Sequence, residues 1–261
     1  MKPVAIVIPF YKNKLEPLEE ISVRQCFNIL SSHDIIAVKP QQLELNYNFT
    51  FDATVSFDPH FFANITGYNK LMLSPLFYEK FLDYQYILIY QPDAYVFKDE
   101  LLEWCEMGYD YIGAPWLRGT PYPDFVKAIK SKFLNYIHIK KNLKQSNSSV
   151  PTDIQLENRV GNGGFSLRNV KKFHEICLSQ RQMIQVYESE KHHYFNEDVF
   201  WSLEVNRKRR ILRIPDYKKA VFFAMETQLA HAFQITNGKL PFGCHAWDKH
   251  FSYWEPFICT K

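Results

Sequence analysis

No stretch of this chain approaches the roughly 20 consecutive apolar residues that a membrane helix needs, so no transmembrane span is expected. Cysteine is sparse: Cys26, Cys105, Cys177, Cys244 and Cys259 are scattered, odd in number and without Cys-x-x-Cys spacing. That argues against a zinc site or a disulfide framework and fits a reducing compartment. The opening apolar run, Val4 to Pro9, is too short for a secretory leader core and no small-residue cleavage site accompanies it. The expectation is a cytoplasmic protein in which the sequons at Asn48, Asn64 and Asn147 are chance matches. A surplus of one charge sign is also missing, with 31 basic residues against 28 acidic ones, so a nucleic-acid partner is not expected. Internal repeats and low-complexity tracts are absent.

What the chain has in quantity is aromatic side chains, 16% of 261 residues. They serve either as core or as faces that stack on sugar rings and nucleobases. A chain this long buries one substantial core, and one domain over 1–261 is expected. Val4 to Pro9 is continuously apolar and β-branched, the pattern of a strand buried on both faces. Helical spacing over 16–30 and an apolar run at 35–38 complete a β-α-β opening. Strands over 54–57, 86–90 and 109–112 alternate with helices over 68–82 and 100–107. This alternation predicts an α/β fold, a doubly wound and mostly parallel sheet with helices on both faces and ligands at the carboxyl ends of its strands. Between about 117 and 160 the pattern weakens, with Pro121, Pro123 and Pro151 marking an excursion from the sheet. Inside it Lys127, Lys130, Lys132, Lys140, Lys141 and Lys144 interleave with Phe125, Ile129, Phe133 and Ile137. That piece is either a solvated surface helix or a contact with a membrane surface or an anionic lipid-linked acceptor.

Four constellations carry chemistry. Gln91-Pro92-Asp93 follows the strand 86–90, where a carboxylate either caps a turn or holds a divalent cation that clamps a diphosphate. Gly161, Gly163 and Gly164 match neither a P-loop nor a dinucleotide fingerprint; they allow either positive φ or close approach of a ligand. Glu197 and Asp198 open an apolar helix, where they either complement its positive end or supply a general base to an attacking hydroxyl. His245 sits among aromatics near the carboxyl terminus, as a hydrogen-bonded core residue or a ligand.

In that order, an acidic turn after a strand, a glycine loop, an acidic pair and a late histidine, the chain resembles the GT-A glycosyltransferases. The blocks 90–94, 111–116, 160–168 and 197–200 are similar to an uncharacterised bacterial and fungal glycosyltransferase-like domain family, with likeness extending over about 86–247. The resemblance implies a GT-A-like single domain and a nucleotide-sugar-dependent, hexosyltransferase-like enzyme working in bacterial surface polysaccharide or lipopolysaccharide synthesis. It makes Asp93 and His245 ligands of Mn2+ or Mg2+. It also makes Asp198 the base, with Glu197 beside it, in a reaction that inverts if Asp198 faces the anomeric carbon and is open to a retaining route if it points away, and has Gly163 and Gly164 line the sugar. One departure is plain: Gln91 stands where the first of two aspartates is usual.

Around these, the loop 9–14 lies where such folds place the nucleotide, which makes Pro9, Tyr11 and Gln91 donor-site candidates, Tyr11 either stacking on the base or packing on the adjacent helix. Arg168 and Lys249 are candidates for phosphate contact or for a surface salt bridge. Trp116, Trp247 and Trp254 are candidate sugar platforms, with core packing as the alternative. The partners implied are a nucleotide-sugar donor and a glycan or lipid-linked glycan acceptor. Peripheral contact at the inner face of the cytoplasmic membrane, through Lys127, Lys130, Lys140 and Lys141, accompanies the lipid-linked case. The rival readings are a non-catalytic carbohydrate-binding protein and a nucleotidyltransferase, although the latter's glycine-rich signature near the first strand is absent. A glycoside hydrolase needs two separated carboxylates across one bond, which adjacent Glu197 and Asp198 cannot provide by themselves.

Overall fold

The computed structural model describes residues 1–120 and 122–258, so the expectations placed on Pro121 and Cys259 lie outside the described residues. Eleven strands appear among them: β1 Lys2–Pro9, β2 Asp34–Pro40, β3 Ala53–Phe57, β4 Tyr84–Tyr90, β5 Tyr95–Val96, β6 Tyr111–Gly113, β7 Pro115–Trp116, β8 Arg159–Val160, β9 Phe165–Asn169, β10 Ala224–Met225 and β11 Gly243–Cys244. The helices are α1 Pro17–Ile29, α2 Ile65–Met72, α3 Pro75–Glu79, α4 Leu101–Glu106, α5 Phe125–Lys141, α6 Val170–Ser179, α7 Arg181–Ser189, α8 Glu197–Val199, α9 Tyr217–Phe223, α10 Leu229–Ile235 and α11 Phe251–Trp254.

Period-two alternation in the buried strands sorts the core onto two faces of one sheet. Val4, Ile6 and Ile8 of β1 join Leu88 of β4, with α1, α4 and α9 covering them through Val23, Trp104 and Phe223. Ala5 and Val7 join Ile87 and Ile89 on the other face, under α2, α3, α6 and α7 through Leu71, Phe77, Phe173 and Ile184. Helices therefore lie on both faces, as the alternation predicts.

The sheet order is β3-β2-β1-β4-β9-β6. Its first four strands pair in parallel, whereas β9 runs antiparallel to both β4 and β6. The sheet is therefore mixed, which corrects the expectation of a mostly parallel one. Hydrophobic periodicity reports that a strand is buried and is silent on its direction. Here the chain leaves and rejoins the sheet through the antiparallel pair β7–β8, so that β9 enters from the opposite end.

Local chemistry accounts for two further differences. The helix expected over 68–82 is two helices, because Pro75 occupies the first turn of α3 and Ser74 caps it by accepting the Leu76 N–H at 3.2 Å. The apolar helix that Glu197 and Asp198 are expected to open is the single turn α8 running into a π-helical turn at Phe200–Glu204. A small sheet, β10-β11-β5, closes the carboxyl-terminal part over a third core that contains Tyr95, Trp247 and Trp254. The four described cysteines are all buried and free, and no described helix is long and apolar enough to cross a membrane.

Candidate functional site

β1 and β4 are parallel neighbours, so Pro9 and the Gln91-Pro92-Asp93 turn emerge at the same carboxyl edge of the sheet. Antiparallel β9 begins opposite the end of β4, with Phe165 paired to Tyr90, and this brings the glycine loop to the same edge. The Gln91 N–H donates to the Gly164 carbonyl at 2.8 Å, tying turn and loop together. The small sheet supplies the rest: β11 pairs with β5 and β10, placing His245 and Glu226 next to Asp93.

His245 is the centre of this first cluster. Its Nε2 lies 3.2 Å from Asp93 Oδ1 and 3.1 Å from Gln91 Oε1, while Nδ1 lies 3.1 Å from Glu226 Oε1. Burial works against an imidazolium, but the two carboxylates overcome it and push the ring up to about 10. Burial likewise resists ionisation of Asp93, yet the His245 charge and hydrogen bond, with help from Lys249, hold it below its ordinary value. Asp93 remains partly open, its side chain 28% exposed. The expected pairing of Asp93 with His245 is therefore present, and Lys249 is exposed and near enough to act on Asp93.

The second cluster is built differently. Arg168 is fully buried in β9, and its five N–H donors meet five acceptors: both Glu197 oxygens at 2.9 and 3.0 Å, Ser166 Oγ, Tyr78 Oη and the Gly163 carbonyl. That arrangement corrects the phosphate role expected for Arg168, since no donor is left over and no surface is exposed. Glu197 is correspondingly a buried anchor, its own N–H donating to Asn69 Oδ1 at 3.3 Å. Asn69 in turn donates to Asn196 at 2.9 Å. Asp198 stays half-buried, its Oδ1 accepting the Val199 N–H at 2.8 Å. Burial, and next the charge of Glu197, raise the Asp198 carboxyl to about 8. Glu226 adds to that rise, so the two clusters lie within electrostatic range of each other.

Gly163 and Gly164 stand between them. A Cβ on Gly163 would lie 2.3 Å from Glu197 Oε1, and one on Gly164 would lie 2.0 Å from His245 Nε2. Neither glycine has positive φ, so of the two reasons for glycine here, close approach is the one that applies. The residues approached are protein side chains.

An open cleft of about 740 Å³ borders the first cluster, lined by Pro9, Tyr11, Glu19, Asn64, Tyr68, Gln91, Asp93 and Asp248 among others. Glu197 and Asp198 do not line it; a smaller pocket of about 200 Å³, sharing Ile65 with the cleft, runs past Asn69 to Asn196. Tyr11 is 57% exposed on the cleft wall. Trp247 backs that wall but is fully buried against Tyr95, at 5.8 Å between ring centroids, and Trp254 is buried in the same core. For both, core packing replaces the sugar-platform role. Trp116 is half-buried and lies away from the cleft, packed where a Cβ on Gly161 would meet its ring at 2.5 Å.

Glu226, Tyr68 and Asn69 are the residues that sequence reasoning missed. Glu226 follows a two-residue strand, too short to carry any periodic signal. Tyr68 has its hydroxyl buried without a hydrogen-bond partner while sitting on the cleft wall.

For a divalent cation the fit is that of a shared site. Among the described residues no group of three or more His, Cys, Asp or Glu side chains could hold a metal. Asp93 Oδ1, His245 Nε2 and Gln91 Oε1 converge, however, and Glu226 on the far ring nitrogen is placed as the outer carboxylate that orients a ligating histidine. Two or three protein ligands suit a cation that takes its remaining ligands from water and a diphosphate.

No curated protein matches the chain. A family model described as a protein of unknown function, DUF5672, matches residues 52–245, a span that takes in β4, the glycine loop, both acidic clusters and, as its last residue, His245. With well over half of its length matched, the chain belongs to the DUF5672 family.

Proposed function

We propose that the protein is a GT-A-type glycosyltransferase that moves a sugar from a nucleotide-sugar donor to a glycan or lipid-linked glycan acceptor in bacterial surface polysaccharide assembly. The observation that carries this reading is the Gly163–Gly164 backbone, held against His245 on one side and Glu197 on the other at the carboxyl edge of β4. One cluster is suited to a diphosphate and the other to a hydroxyl proton, and the cleft beside them has room for a nucleotide sugar.

In this reading Tyr11 and Pro9 flank the nucleotide, and Asp93, Gln91 and His245 face the diphosphate. A divalent cation such as Mn2+ or Mg2+, when bound there, supplies positive charge to the departing phosphate oxygens. His245 must first release its ring proton, and Glu226 then fixes the tautomer by accepting from Nδ1. Arg168 holds Glu197, and through the backbone it holds Asp198 in place. An acceptor entering by the smaller pocket at Asn69 and Asn196 would approach from the Asp198 side. Its hydroxyl oxygen bonds to the anomeric carbon, the carbon–phosphate oxygen bond breaks, and the hydroxyl proton passes to Asp198 in its ionised form, which a carboxyl raised to about 8 reaches as pH rises toward that value, inverting the centre.

A thermal-shift screen of UDP-, GDP- and CMP-sugars, with and without Mn2+, on the parent and Asp93→Ala tests the donor half. One nucleotide class is expected to stabilise the parent only with metal, and the variant not at all. Turnover of that donor with Asp198→Asn is expected to fall about 10²–10⁴-fold with donor binding kept. Donor binding without turnover in the parent would move the protein to the carbohydrate-binding reading, and pyrophosphate release from a nucleoside triphosphate would make it a nucleotidyltransferase.

A further inference from the structure

The helix α5 turns the wrong face outward for a helix packed on a globular protein. Phe125, Ile129, Phe133 and Tyr136 recur every three or four residues, and all are between 52% and 78% exposed, with Val126 widening the same face. These residues are not the docking side of the helix. Asn135 and Ile139 are, buried respectively against the 154–157 segment and in the core. Arg159 Nη2 donates to Asn135 Oδ1 at 2.9 Å, and Arg207 Nη1 donates to the Ile139 carbonyl at 2.7 Å. An apolar stripe that points to water in a well-anchored helix marks an interaction surface.

Charge identifies what covers it. α5 holds Lys127, Lys130, Lys132, Lys140 and Lys141 and contains no acidic residue. Lys140 is tied down, its Nζ donating to the Arg207 carbonyl at 2.8 Å, and this bond brings a second basic segment alongside. Lys208, Arg209 and Arg210 in that segment are all exposed. The surface thus combines exposed aromatic and aliphatic side chains with two cationic clusters drawn from distant parts of the chain. A nucleic acid pairs with the cations but leaves Phe125, Val126 and Ile129 in water. A bilayer with anionic headgroups satisfies both components, the rings and aliphatics entering the acyl boundary and the cations staying among the headgroups.

We propose that α5 and the 208–210 segment form a docking surface for anionic lipid bilayers. It is independent of the glycosyltransferase reading, because binding to vesicles requires no donor, metal or acceptor. The test is cosedimentation of the full chain with vesicles of phosphatidylcholine alone and of phosphatidylcholine mixed with phosphatidylglycerol. Three proteins are compared: the parent, the triple variant Phe125→Ser, Ile129→Ser, Phe133→Ser, and the double variant Arg209→Gln, Arg210→Gln. All the altered side chains are exposed, and thermal melts verify that each variant is folded. The parent is expected to bind the anionic vesicles and to release as salt rises. The double variant is expected to lose about fivefold in affinity for each cation removed, and the triple variant to lose binding to both vesicle types. Equal binding of the parent to neutral and anionic vesicles, unchanged binding by either variant, or no binding at all would overturn the proposal. So would a parent dimer in analytical ultracentrifugation that the triple variant abolishes, since a second copy of the chain would then cover the stripe.

Discussion

Arg168 and His245 both carry positive charge against carboxylates, and adjacent glycines press against them, yet one cluster is sealed and the other open. Arg168 has no exposed surface, and every guanidinium donor is matched to an acceptor inside the protein. His245 faces Asp93 and Gln91, both of which line the cleft. The same chemistry, a cation beside carboxylates, gives a sealed scaffold in the first case and a cluster bordering an open cleft in the second. Asp198 stands between these cases: its neighbour Glu197 is locked, and its own carboxyl is held protonated at neutral pH by burial and by that neighbour.

The largest effect expected from breaking the sealed cluster is that of Arg168→Met, which strands the buried Glu197 charge. A loss of about 3–5 kcal/mol is expected in urea unfolding. A stability within about 1 kcal/mol of the parent would mean that Glu197 is solvated and the cluster is not sealed. Next is Gly164→Ala, whose added methyl would lie 2.0 Å from His245 Nε2. About 1–3 kcal/mol of destabilisation and loss of any Mn2+ binding are expected, read by denaturation and by titration calorimetry.

Asp198→Asn sharpens the comparison through pH. The folded pKa of Asp198, about 8 against a usual 3.8, means that the folded state holds an extra proton between those values. The stability this gives is complete below about pH 4 and is lost as pH rises through about 8. Asparagine does not ionise, so the variant is expected to melt about 2–4 °C above the parent at pH 9 and at the same temperature at pH 4. A parent that is the more stable at pH 9 would mean that Asp198 is ionised and favourably paired.

The open cluster has the opposite dependence. His245 is raised to about 10, so Mn2+ must displace its proton, and affinity is expected to tighten about tenfold per pH unit between pH 7 and 9. Isothermal titration in buffers of different ionisation enthalpy measures the proton released; none released would remove His245 from the ligand set. The smallest effect is that of Tyr11→Ala on the exposed cleft wall, within about 0.5 kcal/mol in stability while donor affinity falls.

The two clusters were unequally legible. Asp93 and His245 stood out as a pair through the resemblance, and the fold brings them to 3.2 Å. Arg168 was misread because its sequence neighbours give no hint of a partner 29 positions away in Glu197. Trp247 reads in sequence as either sugar platform or core, because an aromatic residue beside polar ones can face either way until packing decides, and here it is fully buried.

What the sequence determined by itself is what local periodicity carries: the buried strands β1, β2 and β4, the helices α1 and α4, and a basic amphipathic helix between the sheet strands. Each follows from side-chain spacing along a few turns or pleats, which is a property of neighbouring residues. The tertiary structure alone decided the reversed direction of β9, the arrival of Glu226 behind His245, the closure of Arg168 on Glu197, and the meeting of α5 with the 208–210 segment. Each of these depends on which surfaces find one another across long stretches of chain, and burial, close approach and charge pairing exist only once that choice is made.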